Sequence, residues 1–96
     1  MITWVVYDIK KDKIRNAVAK TCKQFGLYRV QYSVFLGVLT KNQLDSLGIA
    51  MEDLINVKTD SVYIFPMSRE ELRVTILLGQ AFDKKFVTDE VKSLFF

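Results

Sequence analysis

The feature that most constrains this chain is the order in which extended and helical hydrophobic patterns follow one another. Residues 2–9, Ile-Thr-Trp-Val-Val-Tyr-Asp-Ile, are dense in β-branched and aromatic side chains and read as a buried central strand ending near Asp8. Asp12 stands where a helix N-cap belongs. Ile14, Val18, Cys22 and Phe25 follow at helical spacing with Ala17 and Thr21 in the same stripe, while Lys13, Asn16, Lys20, Lys23 and Gln24 fall on the other face. The spacing predicts a helix from Lys13 to Phe25, closed by Gly26 at the C′ position. Residues 28–39 are extended again and read as two short strands or one strand broken in the middle, with Gly37 a candidate bulge or bend. Thr40-Lys-Asn-Gln43 is a capping box. It opens a second helical stripe of Leu44, Leu47, Met51 and Leu54, weakened at Gly48 by about 1 kcal/mol relative to alanine. Asp60 to Pro66 reads as a strand stopped by the proline, and Leu72 to Leu78 as a further strand ending at Gly79.

The order is β-α-β-β-α-β with one extra strand. A single split βαβ sheet carrying both helices on one face accommodates that order most simply. The fold class is therefore α+β, ferredoxin-like, with an extra C-terminal strand. Residues 1–79 form the domain, and residues 80–96 form a tail rich in large apolar groups. Four of the seven phenylalanines lie in the last 15 residues. Such a tail is expected to cover the open sheet face or to dock on the dimer or a partner, and the extra strand around Leu72–Leu78, having left its own sheet, is expected to reach another protomer's edge. A homodimer is the expected assembly.

Composition removes several kinds of chemistry. The 96 residues contain no histidine and one cysteine, Cys22. A Ser-His-Asp or Cys-His centre is impossible within the chain, a structural zinc site nearly so, and Cys22 has no intramolecular disulfide partner. Cys22 lies on the apolar stripe of the first helix and reads as buried and inert. No segment approaches the roughly 20 apolar residues that span a bilayer. The first residues lack the basic and small-residue pattern of a secretory signal. The expectation is a cytoplasmic protein without membrane contact.

Charge is unevenly placed. Residues 1–41 hold eight basic residues against Asp8 and Asp12, a balance of +6, whereas residues 42–96 hold six basic and nine acidic ones, a balance of −3. A basic first half suits a polyanionic partner, although a lysine-rich helix is also an ordinary solvated face. Lys10, Lys11, Lys13, Arg15, Lys20 and Arg29 are the candidate phosphate contacts. Arginine's planar fork suits such contacts, which are sequence-independent and salt-sensitive. Tyr28, Tyr32 and Phe35 read as core or interface aromatics more readily than as base-stacking platforms.

Several local patterns occur together in order. Tyr7-Asp8-Ile9 closes the first strand, Lys13-Ile-Arg-Asn16 opens the first helix, and Gly26-Leu-Tyr-Arg-Val-Gln-Tyr-Ser-Val-Phe-Leu-Gly37 follows. Thr40-Lys41 begins the second helix, and Asp60-Ser-Val-Tyr-Ile-Phe-Pro66 supplies the next strand. Over residues 1–67 this ordered set closely resembles the CRISPR-associated protein two family, the small subunit of the spacer-acquisition complex.

The resemblance implies a ferredoxin-like homodimer that bridges two dimers of the adaptation integrase, CRISPR-associated protein one, and helps hold a short DNA duplex. It also implies a magnesium-dependent endonuclease in some members, acting on RNA or DNA, with other divalent cations as alternatives. The family's metal-linked aspartate falls on Asp8. Its nearby basic positions fall on Arg15 and Arg29, with Tyr7 and Phe35 beside them. Some members carry a second basic residue two positions after the helix arginine, where this chain has Ala17. An aspartate after an apolar strand is ordinarily a turn or capping residue. In a dimer, a two-fold axis can instead bring two copies of Asp8 to one cation, with Asp12 and Asp60 as candidate auxiliaries. A stand-alone magnesium-dependent endoribonuclease and a toxin-like RNA interferase on the same fold are the alternative functions.

Overall fold

The computed structural model describes residues 1–79. The tail from residue 80 to 96, with its expected docking, lies outside the described residues. Four strands and three helices follow in the order β1 (Ile2–Asp8), α1 (Asp12–Gln24), β2 (Tyr28–Gln31), β3 (Val34–Val38), α2 (Lys41–Leu54), β4 (Ser61–Met67) and α3 (Arg69–Val74). The sheet runs β2-β3-β1-β4, and all three pairings are antiparallel. This is the α+β, ferredoxin-like arrangement that the hydrophobic order demands. The central strand β1 places Val5 opposite both Phe35 and Ile64.

Alternation along the strands divides the side chains between two faces. Val5, Tyr7, Phe35 and Leu39 meet Val18, Ala19 and Cys22 of α1 and Leu47 and Met51 of α2 in the main core. Ile2, Trp4 and Leu36 point the other way and are covered by Leu72 of α3. Among the described residues no other helix covers that second face, and they form a slab of 35 × 32 × 18 Å. Tyr63 and Phe65 of β4 remain 64% and 39% exposed on it, although Phe65 stacks on Trp4 with ring centroids 6.2 Å apart.

Local chemistry accounts for the helix ends. The Thr40–Gln43 capping box forms as expected. Helix α1 closes in a Schellman motif: Gly26 adopts φ +84°, its N–H donates to Lys23 O at 2.9 Å, and Leu27 N–H donates to Cys22 O at 3.1 Å. Asp12, however, is not the N-cap. Lys11 occupies that position without a side-chain cap, and Asp12 is the first helical residue, where its charge suits the helix dipole.

Two other expectations change here. Gly37 is not a bulge; it pairs with Thr3 in the middle of β3. A Cβ there would lie 2.7 Å from Leu27 Cδ2 and 3.2 Å from its Cα, so the glycine allows a close approach of two chain segments. The register shift falls between Arg29 and Gln31, leaving Val30 as the extra residue. The 28–39 region is two strands joined by a turn at Tyr32 and Ser33. Pro66 does not stop β4, which continues to Met67; an edge strand tolerates a residue without an N–H.

Leu72 to Leu78 does not form the expected strand. Residues 72–74 belong to α3, nucleated by a Ser68–Glu71 capping box in which Glu71 N–H donates to Ser68 Oγ at 3.1 Å and Ser68 N–H donates to Glu71 Oε1 at 2.7 Å. A cap that satisfies two otherwise free amides outweighs the strand preference of the β-branched residues after it. Residues 75–78 are in neither helix nor sheet, and Ile76 and Leu78 are more than four-fifths exposed.

Candidate functional site

Asp8 is the last residue of β1 and pairs with Ser61. As an even-numbered residue of β1 it shares the open face with Ile2, Trp4 and Val6. Its side chain is 76% exposed, and its Oδ2 lies 3.8 Å from Lys10 Nζ. No cluster of three acidic or cysteine side chains able to hold a metal exists among the described residues, and no buried side-chain nitrogen or oxygen lacks a partner. One exposed carboxylate beside an ammonium does not fit a magnesium site by itself.

The candidate auxiliaries are engaged elsewhere. Asp12 is held by the Arg15 guanidinium. Asp60 is buried and accepts two backbone hydrogen bonds, from Lys10 N–H on Oδ1 and from Asn56 N–H on Oδ2, each at 3.0 Å. It ties the β1–α1 loop to the α2–β4 loop. Those amides, Lys10 first and then Asn56, hold the Asp60 carboxyl below its ordinary value of 3.8. A depressed folded-state pKa adds stability that is complete above the unfolded value and is lost as pH falls through the folded one. Asp60→Asn, which keeps one acceptor and turns an amide toward the other N–H, should lower the thermal midpoint at pH 7. The gap to the parent should shrink as pH drops below 3.8. Thermal unfolding from neutral pH to pH 2 measures both; a gap independent of pH would refute this role.

The two arginines are also less free than their charge suggests. Arg15 donates to Ile9 O at 2.8 Å and to Tyr32 Oη at 3.5 Å, besides its contact with Asp12. It therefore clamps the β1–α1 loop against the β2–β3 turn. Arg29 lies with its Cζ 5.1 Å from the Phe35 ring centre, over the rim of the core. Tyr7 and Phe35 are 4% and 0% exposed and stack with centroids 6.3 Å apart. They lie on the helix face, opposite Asp8, so they are core residues and not its neighbours. Cys22 is wholly buried, and burial pushes its thiol up to about 12, which leaves it inert.

The lysines remain. Lys10, Lys11, Lys13 and Lys20 are exposed, and among the described residues only Lys10 of the four enters an ion pair. The helix face carrying Lys13 and Lys20, with Lys11 at its start, is a cationic surface beside the β1–α1 loop. Tyr63 and Phe65 were missed as interface candidates from sequence. Their signal was the alternation within Ser61–Met67, which puts both on the open face.

A family model described as CRISPR associated protein Cas2 matches residues 1–74. The chain belongs to the Cas2 family. A CRISPR-associated endoribonuclease Cas2 of Desulforudis audaxviator is 39% identical over 75 residues, covering 78% of this chain and 71% of that protein. A protein of the same description from Archaeoglobus fulgidus is 39% identical over 79 residues, covering 82% and 84%. The crystal structure of Streptococcus pyogenes Cas2 at pH 6.5 aligns with a TM-score of 0.71 at 30% identity, covering 82% of this chain and all of that one. The Cas2 relationship thus spans the ordered motifs of residues 1–67 and reaches into α3. No helix among the described residues is long and apolar enough to cross a membrane.

Proposed function

We propose that the chain is a homodimeric CRISPR adaptation subunit that bridges dimers of the integrase and binds the backbone of duplex DNA. The observation that carries this reading is the second face of the sheet, which among the described residues only α3 covers and where Tyr63 and Phe65 stay exposed beside half-buried Val6 and Val34. A flat apolar face of this kind is completed by a second copy about a two-fold axis. Residues 75–78 of each chain then reach the unpaired edge of the other's β4, where backbone pairing covers an otherwise open strand. The lysines of both first helices flank the assembly and supply sequence-independent phosphate contacts.

Light scattering after size exclusion tests the reading. The protein alone should have twice the 11.1 kDa mass of one chain. Mixing with the integrase encoded beside it should give a larger complex that short duplex DNA strengthens. A dimer that ignores the integrase would defeat the bridging role.

A second reading, a magnesium-dependent endonuclease using Asp8, is favoured by one observation. Asp8 lies at the end of the same open face, so the partner can supply the second carboxylate. Asp8→Asn should reduce magnesium-dependent cleavage of RNA and DNA to background while leaving dimer formation and integrase capture unchanged, because the side chain is largely solvated. Unchanged cleavage by this variant would remove Asp8 from the chemistry. RNA-only cleavage by a dimer indifferent to the integrase would favour a stand-alone endoribonuclease or an RNA interferase.

A further inference from the structure

The helix face of the sheet is incompletely covered at one margin. Between α2 and β4 run two adjoining concavities of about 400 and 510 Å³ that share Gly48, Glu52 and Ile64. Met51, Ile55 and Val62 line the first of them. Gly48 contributes to this opening: a Cβ placed there would meet nothing within 4 Å, although glycine weakens a helix by about 1 kcal/mol. Two large apolar side chains on the walls are left in water, Ile49 at 65% exposure and Val57 at 68%. Glu52 on the same wall enters no ion pair among the described residues, and Asp53 adjoins it in sequence.

We propose that this groove receives the C-terminal segment, residues 80–96, of the second copy in the dimer. The proposal rests on the homodimer reading above and adds where the chain goes after residue 79. Three observations point to this occupant. First, 17 residues follow Gly79, and they include Phe82, Phe86, Val87 and Val91, enough apolar surface to cover Ile49 and Val57. Second, Asp83, Lys84 and Lys85 sit between Phe82 and Phe86, a local balance of +1, so a segment whose phenylalanines enter the groove brings the two ammonium groups to the Glu52 wall. Third, the route is continuous. Val62 and Ile64, which line the groove, belong to the edge strand β4, and a partner's residues 75–78 paired along that edge deliver residue 80 beside it. The chain's own α3 lies on the opposite face, where Leu72 packs on Ile2, Trp4 and Leu36, so a tail from the same chain would have to wrap around the same edge to enter.

Disulfide trapping in the full-length dimer tests this. Two differently tagged chains are co-expressed, one with Val57→Cys and the other with Phe86→Cys, and the mixed dimer is oxidised mildly. Val57 is exposed and tolerates the change, and Cys22 is buried and does not compete. Most of the mixed dimer should become covalent, whereas Lys13→Cys in place of Val57→Cys should stay at background. Glu52→Lys should lower the cross-link yield without dissociating the dimer. An intrachain disulfide in a doubly substituted chain, with no cross-link between chains, would overturn the proposal in favour of the chain's own tail. A dimer by light scattering that gives no cross-link would overturn it and leave the homodimer reading standing. A monomer would overturn both.

Discussion

Exchanging Lys11, Lys13 and Lys20 together for glutamine should weaken binding of a short duplex by about two to three orders of magnitude at 0.1 M salt for each chain that contacts it. That size follows if each lysine meets one phosphate, because each contact adds about 0.9 to the slope of log affinity against log salt. The slope itself should fall by about 2.7 per chain, and the affinities of parent and variant should converge toward 1 M salt. The loss should be the same for unrelated sequences, since phosphate contacts position a protein without reading bases. All three side chains are exposed, and glutamine is as good a helix former as lysine, so the unfolding midpoint should hardly move. Arg15→Gln should behave differently. Its guanidinium is bonded to Ile9 O, Tyr32 and Asp12, so the stability of the β1–α1 loop should fall and the salt slope should change little. A triple variant with an unchanged salt slope would show that the duplex is held elsewhere.

Phe35→Ala should destabilise the fold by about 3–5 kcal/mol, the usual cost of removing a fully buried aromatic. Phe35 has no exposed surface; Val5 faces it across β1, Tyr7 stacks beside it, and Arg29 lies over its ring. Since domains of this size are stable by about 5–15 kcal/mol in all, the variant should lose a large part of the margin. The expected fall in Tm is at least about 12 °C. Arg29→Ala removes only the covering cation and stem and should cost about 1 kcal/mol. If Phe35→Ala kept its Tm and lost only nucleic-acid binding or cleavage, Phe35 would belong to the site and not to the core.

The placement of Tyr7 shows where reading along the chain stops. Tyr7 is covalently next to Asp8, yet the pleat sends their side chains to opposite faces of the sheet. The family resemblance puts them at one site, and the strand separates them. Arg15 and Arg29 were identified by charge, which is visible in sequence. Their partners, Tyr32 from a turn 17 residues on and Phe35 across a hairpin, are not. Asp60 was named as an auxiliary acid for the same reason. Its hydrogen bond to Lys10 N–H, 50 residues earlier in the chain, makes it a loop tie.

The sequence by itself determined the parts that depend on short-range physics. The two main helices follow from apolar spacing, the Schellman end from Gly26, the capping box from Thr40 and Gln43, and the sheet class from the order of elements. The ordered motifs of residues 1–67 were also sufficient to point to the Cas2 family. The Ser68–Glu71 box is equally legible, and in the structure it outweighs the strand preference of the apolar residues after it. Tertiary structure alone decided which faces those elements share. It placed Asp8 on an open apolar face, turned Tyr7 and Phe35 into core, left the lysines of α1 in water, and opened a groove beside β4. Each of these outcomes depends on register and packing between segments tens of residues apart, and a local pattern does not encode such pairings.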